Sequence, residues 1–283
     1  MMIMMKNTID TIIQEVFQTK EYQLYDLEKG ITNNNYLLIV NNASFVVRIP
    51  KIQGIFDREY EAEVLEFVRP LGIDLSTFYF DSVTGIKITP YIEKLEDFST
   101  YKHPSSIKRI ATVIRKLHDA KIHTGKRFAP LEKLKLYQEG IQTPVCDYSQ
   151  YSSIITAVSN YHCEEILCHN DIVAGNLCFT NENTYLIDYE YAGDNDPLFD
   201  VMSFITENEL TPEEESEFLH AYFEEEIPYQ ELEMWRDFHN LLWLSWANMM
   251  FDETKESIFQ TIAEQKKSAL EKRYLRYRDT LFT

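Results

Sequence analysis

The segments His169–Asn176, HNDIVAGN, and Ile187–Asp200, IDYEYAGDNDPLFD, are the most informative part of this chain. Three short apolar runs surround them, at Glu165–Cys168, Leu177–Thr180 and Thr184–Ile187. Runs of this length, bounded by turn-forming residues, are typical of buried β-strands. The polar residues of both segments are therefore expected on loops and strand ends, where a ligand can reach them.

Three of these polar residues have the order and spacing of a phosphoryl-transfer site. In kinase-type sites a loop Asp accepts the proton of the attacking hydroxyl, a later Asn binds a metal, and a second Asp after the next strand holds Mg²⁺ on the phosphates. Asp171, Asn176 and Asp188 fit these roles. The alternative is that HND caps a turn and DYE ends an ordinary strand. Three groups in register with two strands favour the catalytic interpretation, in which His169 braces the loop.

Length and charge narrow the classes of function. With 283 residues the chain exceeds the usual size of one domain, which predicts two lobes with a cleft between them. The formal net charge is −19, and no Lys/Arg cluster is long enough to follow a phosphate backbone. We therefore expect no nucleic-acid partner, and the acidic surface is compatible with a small cationic substrate.

The cysteine pattern and the N-terminus both indicate a cytoplasmic protein. The four cysteines show no C-x-x-C spacing, and two of them lie in the predicted strands as small apolar residues. The apolar start MMIMM stops at Lys6, short of the roughly 18 residues that a spanning helix needs. The sequence therefore predicts neither export nor membrane insertion. It leaves the oligomeric state open.

The stretch Lys29–Val40, KGITNNNYLLIV, is rich in turn-forming residues. Gly30 and the three asparagines Asn33–Asn35 are expected to form a tight hairpin between two strands. Its backbone N–H groups could cover the phosphates of a nucleotide. A purely structural hairpin would have the same composition, and the two interpretations remain open from this stretch alone.

A basic residue and an acidic residue in the first third are candidates for nucleotide binding. Arg48 is the single charge in the predicted strand Ser44–Ile49, placed to reach the α- and β-phosphates. The alternative is a solvent-facing Arg at a sheet edge. In the predicted helix that follows, Glu61 lies over the apolar face and is expected to pair with Arg48, with Glu59 and Glu63 as competitors.

The chain changes in character near residue 92, because its first third is rich in strands and the remainder is mostly helical. We predict an N-terminal nucleotide-binding lobe at residues 1–92 and a C-terminal catalytic and substrate-binding lobe at residues 93–283. Backbone groups near Tyr91 and Ile92 are suited to bind an adenine edge. The fold class is α+β: a two-lobed, protein-kinase-like fold with a small antiparallel-sheet lobe carrying one helix and a larger helical lobe.

At this point the sequence resembles the choline/ethanolamine kinase family, within the wider kinase-like fold of the aminoglycoside phosphotransferases, and is most similar to the bacterial choline kinases. The residues that match family motifs are Gly30, Thr32, Asn33, Tyr36, His169, Asp171, Asn176, Ile187–Tyr191, Asn195, Phe199, Asp200, Glu207, Trp243 and Trp246. The resemblance implies an ATP- and Mg²⁺-dependent kinase that phosphorylates choline. It also implies that Gly30, Thr32 and Asn33 bind nucleotide and that Glu190, Tyr191 and Glu207 contribute to the substrate site.

Trp243 and Trp246 stand three residues apart and share one helical face. A quaternary ammonium cannot donate hydrogen bonds, so aromatic faces and a nearby carboxylate recognise it. The two tryptophans, Tyr191 and Glu207 could form such a box. The alternative is that LLWLSW is ordinary buried core. The family match favours the box.

Two departures from the family pattern concern the choice of substrate. Val173 and Ala174 stand where family members often have Gln or Glu, and no motif aligns Tyr274 or Tyr277, which could close the pocket. The alternative functions are a kinase for ethanolamine, thiamine or an aminoglycoside, or a nucleotide-binding pseudokinase. The presence of Asp171, Asn176 and Asp188 argues against the pseudokinase.

Overall fold

The computed structural model describes the backbone of residues 2–27, 33–51 and 56–281, and the side chains of residues 9–27, 33–51 and 56–273. In chain order the strands are β1 (Gln23–Asp26), β2 (Asn33–Val40), β3 (Ala43–Pro50), β4 (Tyr79–Phe80), β5 (Lys87–Pro90), β6 (Glu96–Asp97), β7 (Ile166–Cys168), β8 (Leu177–Phe179), β9 (Thr184–Leu186) and β10 (Gly193–Asn195).

Longer helices dominate the chain after residue 105. The α-helices are α1 (Met2–Phe17), α2 (Arg58–Val68), α3 (Ser106–Asp119), α4 (Pro130–Gly140), α5 (Ser152–Ser159), α6 (Pro197–Glu207), α7 (Pro212–Tyr222), α8 (Tyr229–Thr254) and α9 (Ser257–Leu281). In the described part of the chain no helix combines the length and the apolar character needed to cross a membrane.

The chain divides into two compact units. The first comprises residues 1–101 and 177–190, and the second comprises residues 102–176 and 191–283. The strands β8 and β9 thus belong to the first unit, although they come much later in the chain. The functional lobes predicted at residues 1–92 and 93–283 stay a prediction.

The first unit is built on an antiparallel sheet with strand order β1-β2-β3-β5-β4. Helix α1 packs on this sheet, because Ile9, Ile12 and Ile13 are buried in one cluster with the sheet residues Leu38 and Val47. A second antiparallel sheet has the order β6-β8-β9. The unit therefore contains α1 as well as α2, whereas the sequence predicted a sheet lobe with one helix.

One local prediction was wrong. Asn33–Asn35 do not form a turn, because β2 begins at Asn33 and these three residues pair with Arg48–Pro50 of β3. The strand-forming run that follows extends back through the polar residues, since the antiparallel ladder satisfies their backbone groups. Gly30 and Thr32 lie outside the described residues.

The second unit is mainly helical, with the short antiparallel pair β7-β10 as its sheet. Helix α8 lies at its centre and packs against α4, α5, α6 and α9. Buried residues occur on several faces of α8, including Leu232, Phe238, Leu241 and Leu244. A helix that is apolar on many sides is a core helix. It therefore fixes the side chains that project from it, among them both predicted substrate tryptophans.

Candidate active site

The backbone of the predicted catalytic loop is anchored by Asp200, near the start of α6. Asp200 accepts the backbone N–H of His169 over 2.7 Å and that of Asn170 over 2.6 Å. The same carboxylate lies 3.0 Å from Nε2 of His118, whose Nδ1 lies 2.7 Å from the hydroxyl of Tyr222. Asp200 is completely buried, so these bonds supply its required partners. They fix the loop immediately before Asp171.

Asn170 holds the turn of this loop. Its φ of 66° lies in the left-handed region, which Asn adopts more readily than most residues. Its Nδ2 donates to the carbonyl oxygens of Tyr191 and Gly193 over 3.1 and 3.2 Å, and its Oδ1 accepts from Nδ2 of Asn195 over 2.8 Å. Asn170 therefore ties the loop to the chain around β10.

Asp171 and Asn176 lie together, as their spacing predicts. Nδ2 of Asn176 donates to the backbone oxygen of Asp171 over 2.9 Å and to its Oδ2 over 3.2 Å. His169 is fully buried, and its Nδ1 accepts the backbone N–H of Asp171 over 3.3 Å. On the other side of Asp171, the N–H of Ile172 donates to Oγ of Ser203 over 2.8 Å. This contact supports a bracing role for His169, which stays a prediction.

The first unit contains a buried cluster of charged side chains. Arg48 of β3 donates to Glu61 of α2 over 2.5 Å and also forms an ion pair with Asp188. Arg58 donates to Glu61 over 2.5 Å and to Glu190 over 3.2 Å. Arg48, Arg58 and Glu61 are all buried. The structure thus selects Glu61 over Glu59 and Glu63 as the partner of Arg48.

Protonation of this cluster follows from its burial and its charge balance. Burial, followed by the charge of Asp188, raises the pKa of Glu190 to about 8. Burial alone would lower the pKa of Arg48, but the charges of Asp188, Glu61 and Glu190 raise it. Arg48 therefore remains a cation, and Nε of this buried guanidinium has no hydrogen-bond partner among the described residues.

Asp188 lies just beyond the end of β9, in a backbone conformation that is unusual for Asp. Its φ is 71°, in the left-handed region. Its Oδ2 accepts from Nδ2 of Asn33 over 3.2 Å, while its Oδ1 accepts from Arg48. The structure therefore brings together Asn33, Arg48, Glu61 and Asp188, four of the residues predicted for nucleotide or metal binding. Glu190 joins the same cluster, and its role toward substrate stays a prediction.

Tyr91 and Ile92 follow β5. The N–H of Tyr91 donates to the carbonyl of Ser44 over 2.9 Å, and the carbonyl of Ile92 accepts from the N–H of Leu95 over 3.4 Å. The Tyr91 side chain is exposed. The N–H of Tyr91 is thus engaged within the sheet, and adenine binding near these residues stays a prediction.

The predicted substrate aromatics form one cluster in the second unit. The ring centroids of Tyr191 and Trp243 are 5.5 Å apart with an interplanar angle of 87°, and those of Trp243 and Trp246 are 5.6 Å apart at 88°. Phe259 of α9 adds a further edge-to-face contact with Trp246 at 5.4 Å. Such edge-to-face packing is a favoured geometry for aromatic pairs and fixes the directions of the ring faces.

A polar group adjoins this cluster. The indole N–H of Trp243 donates to Nε2 of His239 over 2.9 Å. Nδ1 of His239 lies 2.8 Å from Oγ1 of Thr206 and 3.3 Å from Oε1 of Glu207. Glu207 in turn forms an ion pair of 2.5 Å with Lys266. Glu207 is therefore linked to Trp243 through one imidazole ring.

Sequence reasoning missed three of the residues that hold these groups in place, Arg58, His239 and Lys266, and it identified Asp200 only as a motif residue, without its anchoring role. A signal was present for Arg58, which stands three residues before Glu61 on one helical face. A second signal was present for His239, which stands four residues before Trp243. Lys266 lies on another helix, and nothing local in the sequence indicates its contact with Glu207.

The chain is similar to known phosphotransferases in sequence and in fold. The phosphotransferase enzyme family matches residues 150–238. The protein LicA of Haemophilus influenzae is 27% identical over 240 residues, which cover 77% of this chain and 90% of that protein. The crystal structure of the choline kinase LicA from Streptococcus pneumoniae is 25% identical, covers 93% of this chain and 99% of its own, and gives a TM-score of 0.78. A crystal structure of LicA in complex with AMP is 24% identical, covers 94% of this chain and 98% of its own, and gives a TM-score of 0.74.

The chain is therefore a phosphotransferase of the protein-kinase-like fold, and one of the solved structures that it resembles is a choline kinase. This confirms the resemblance that its motifs indicated and the two-part α+β architecture predicted from its sequence. It also confirms that the protein is an enzyme.

Proposed function

We propose that this enzyme transfers the γ-phosphoryl group of ATP to the hydroxyl of choline, giving phosphocholine and ADP. The cluster of Tyr191, Trp243 and Trp246 is the observation that carries the choice of choline. A trimethylammonium group offers no N–H donor, and aromatic faces attract it by about 0.5–2 kcal/mol each. The choline kinase LicA from Streptococcus pneumoniae supports the same substrate.

Asp171 is the proposed general base. It would orient the choline hydroxyl and accept its proton as the oxygen attacks phosphorus in line with the leaving ADP oxygen. Two hydrogen bonds that the preceding backbone donates to Asp200 support this role, together with the one that Asn176 donates to Asp171, because they hold the Asp171 carboxylate in one position. His169 would act by positioning the loop.

Asn176 and Asp188 are the residues that would hold Mg²⁺. Both supply the hard oxygen ligands that this ion prefers. The two bonds donated by Nδ2 of Asn176 orient its amide so that Oδ1 is the atom presented to a cation. When bound, Mg²⁺ would neutralise negative charge on the phosphoryl oxygens.

Nucleotide binding is assigned to the first third of the chain. Arg48 would neutralise the α- and β-phosphates, and Glu61 would position Arg48. Gly30, Thr32 and Asn33 would contact the phosphates, and backbone groups near Tyr91 and Ile92 would contact adenine. The AMP complex of LicA supports adenine nucleotide binding on this fold.

The experiment is a measurement of ADP release from ATP and Mg²⁺ with choline, ethanolamine, thiamine or kanamycin as acceptor. We expect a clear preference for choline and a loss of at least about a hundredfold in Asp171→Asn, the scale of a removed general base. Asp119→Asn is the matched control, because Asp119 is an exposed aspartate of the second unit. If the enzyme phosphorylates only another alcohol, the assignment of choline as the substrate is overturned. Near-normal activity of Asp171→Asn would overturn the assignment of Asp171 as the general base.

A further inference from the structure

Lys266 is a buried lysine beside the predicted substrate residues. It projects from α9 with a side chain only 9% exposed, and its Nζ lies 2.5 Å from Oε1 of Glu207. The same Nζ lies 3.5 Å from the carbonyl oxygen of Thr206. Lysine is almost never buried without a partner, because removing its charge from water is costly. The carboxylate of Glu207 is thus already paired with a cation that belongs to the protein.

His239 connects this ion pair to the aromatic cluster. Its Nε2 accepts the indole N–H of Trp243, which requires that this nitrogen carry no proton. The proton then resides on Nδ1, which faces Thr206 and Glu207. Burial and the charge of Lys266 lower the pKa of His239 well below its ordinary value, in agreement with a neutral ring. Lys266, Glu207, His239 and Trp243 are therefore one connected group.

Pairing with Lys266 has opposite consequences for two kinds of substrate cation. A primary ammonium needs hydrogen-bond acceptors for its N–H groups, and a carboxylate is the strongest acceptor available. A trimethylammonium group needs none and binds to aromatic faces. Because the ammonium of Lys266 is paired with Oε1 of Glu207, the cluster offers aromatic faces beside a carboxylate whose charge is already balanced, which makes that carboxylate a weaker acceptor for a primary ammonium.

We infer that Lys266 is a specificity-determining residue, which favours a quaternary over a primary ammonium substrate by keeping Glu207 in an ion pair. This inference rests on the proposed function and adds to it. It changes the expected role of Glu207, which then positions Trp243 through His239 and does not bind the substrate cation directly.

The first test is the ratio of kcat/KM for choline to kcat/KM for ethanolamine in Lys266→Met. This substitution keeps much of the volume and releases the carboxylate, so ethanolamine gains a charge-assisted hydrogen bond. We expect the ratio to fall at least about tenfold, the lower range for such a bond. Lys267→Met is the matched control, because Lys267 is the next residue of α9 and is bound to Glu271 and the carbonyl of Val145. An unchanged ratio in folded Lys266→Met would overturn the inference.

A second variant tests the inference without leaving an unpaired buried carboxylate, which can prevent folding. In the double variant Lys266→Met, Glu207→Gln both charges are absent, and replacement of both members of a buried pair is well tolerated. We expect its ratio to stay within about threefold of wild type. If Glu207 bound the ammonium group directly in wild type, the double variant would lose at least about tenfold more in kcat/KM for ethanolamine than in kcat/KM for choline. That result would overturn the inference.

A binding measurement separates this inference from the proposed function. Titration calorimetry with tetramethylammonium and methylammonium, which have no hydroxyl to phosphorylate, measures the same preference without turnover. We expect wild type to prefer tetramethylammonium and Lys266→Met to reduce that preference about tenfold. Failure of wild type to phosphorylate choline, with this binding preference intact, would refute the proposed reaction alone. Equal or absent binding of both ions to wild type would overturn the inference.

Discussion

Glu61 accepts hydrogen bonds from Arg48 and from Arg58, each over 2.5 Å, so one buried carboxylate serves two guanidinium groups. The first contact joins a strand to a helix, and the second joins two residues of α2. Removing the shared charge leaves two buried cations short of a partner, which is one of the more destabilising changes available to a protein.

For Glu61→Gln we therefore expect a loss of stability of roughly 3–5 kcal/mol and a Tm lower by roughly 10 °C. Because Arg48 loses its orientation, the KM for ATP should rise more than the KM for choline. Calorimetry and steady-state kinetics measure the two effects. Glu63→Gln is the control, since Glu63 is an exposed acid on the same helix, and equal effects of the two substitutions would contradict the role of Glu61.

Replacement of Trp243 by Leu removes an aromatic face and keeps an apolar side chain. We expect the KM for choline to rise about 3- to 30-fold, the range of one cation–π contact, with the KM for ATP nearly unchanged. Trp235→Leu is the matched control, because Trp235 is buried in the same helix and its N–H donates to Asp196. That control should lower the Tm without changing the KM ratio. A parallel rise in both KM values for Trp243→Leu would identify the residue as core only.

Asp200→Asn tests the anchoring of the catalytic loop. Asn retains one acceptor oxygen and places an NH₂ group where the carboxylate faced a backbone N–H, so one buried donor loses its partner. We expect kcat to fall at least about tenfold and stability to fall by roughly 2–4 kcal/mol. Ser203→Ala removes a single acceptor, that of the Ile172 N–H, and should have a smaller effect of about 1 kcal/mol. If Asp200→Asn matches wild type in kcat, the anchor is dispensable.

Glu190 makes the stability of the protein depend on pH. Because burial and Asp188 raise its pKa from 4.5 to about 8, the folded chain holds a proton that the unfolded chain releases. The stability that this proton contributes to the folded chain is fully present below about pH 4.5 and is lost as the pH rises through 8. In wild type the free energy of unfolding should therefore fall by roughly 1–3 kcal/mol over this pH range, and we expect Glu190→Gln to remove that fall. Measurements of the Tm at a series of pH values check this. Glu182→Gln, at an exposed acid, should keep the wild-type profile.

The parts of this fold that were predictable are those with a local pattern. Asp57 and the apolar spacing after it predict a helix, and the structure has α2 with Asp57 as its N-cap. The predicted strand Ser44–Ile49 lies within β3. The apolar spacing of Ile110, Val113, Ile114 and Leu117 predicts a helix over Ile107–Ala120, which is displaced by only one residue from α3. The proximity of Asp171 to Asn176 was equally predictable, because they stand five positions apart in one short loop.

The parts that were not predictable depend on contacts between distant residues. The asparagines of β2 have a turn-like composition, and pairing with β3 overrides it. Asp200 matches a family motif, but the hydrogen bonds that it accepts from a loop about thirty residues earlier become visible only in the fold. The pairing of Lys266 with Glu207 spans 59 residues. The side chains of Tyr274 and Tyr277 lie outside the described residues.

The assignment of residues 177–190 to the first unit has a consequence for the order of folding. Synthesis proceeds from the N-terminus, and domains generally fold as they emerge. Here β6 obtains its partner strand β8 only after residues 102–176 have also been made. A fragment ending at residue 101 would lack β8 and β9, so the first unit cannot be obtained by one proteolytic cut. Its completion on the ribosome must await the chain around Glu190.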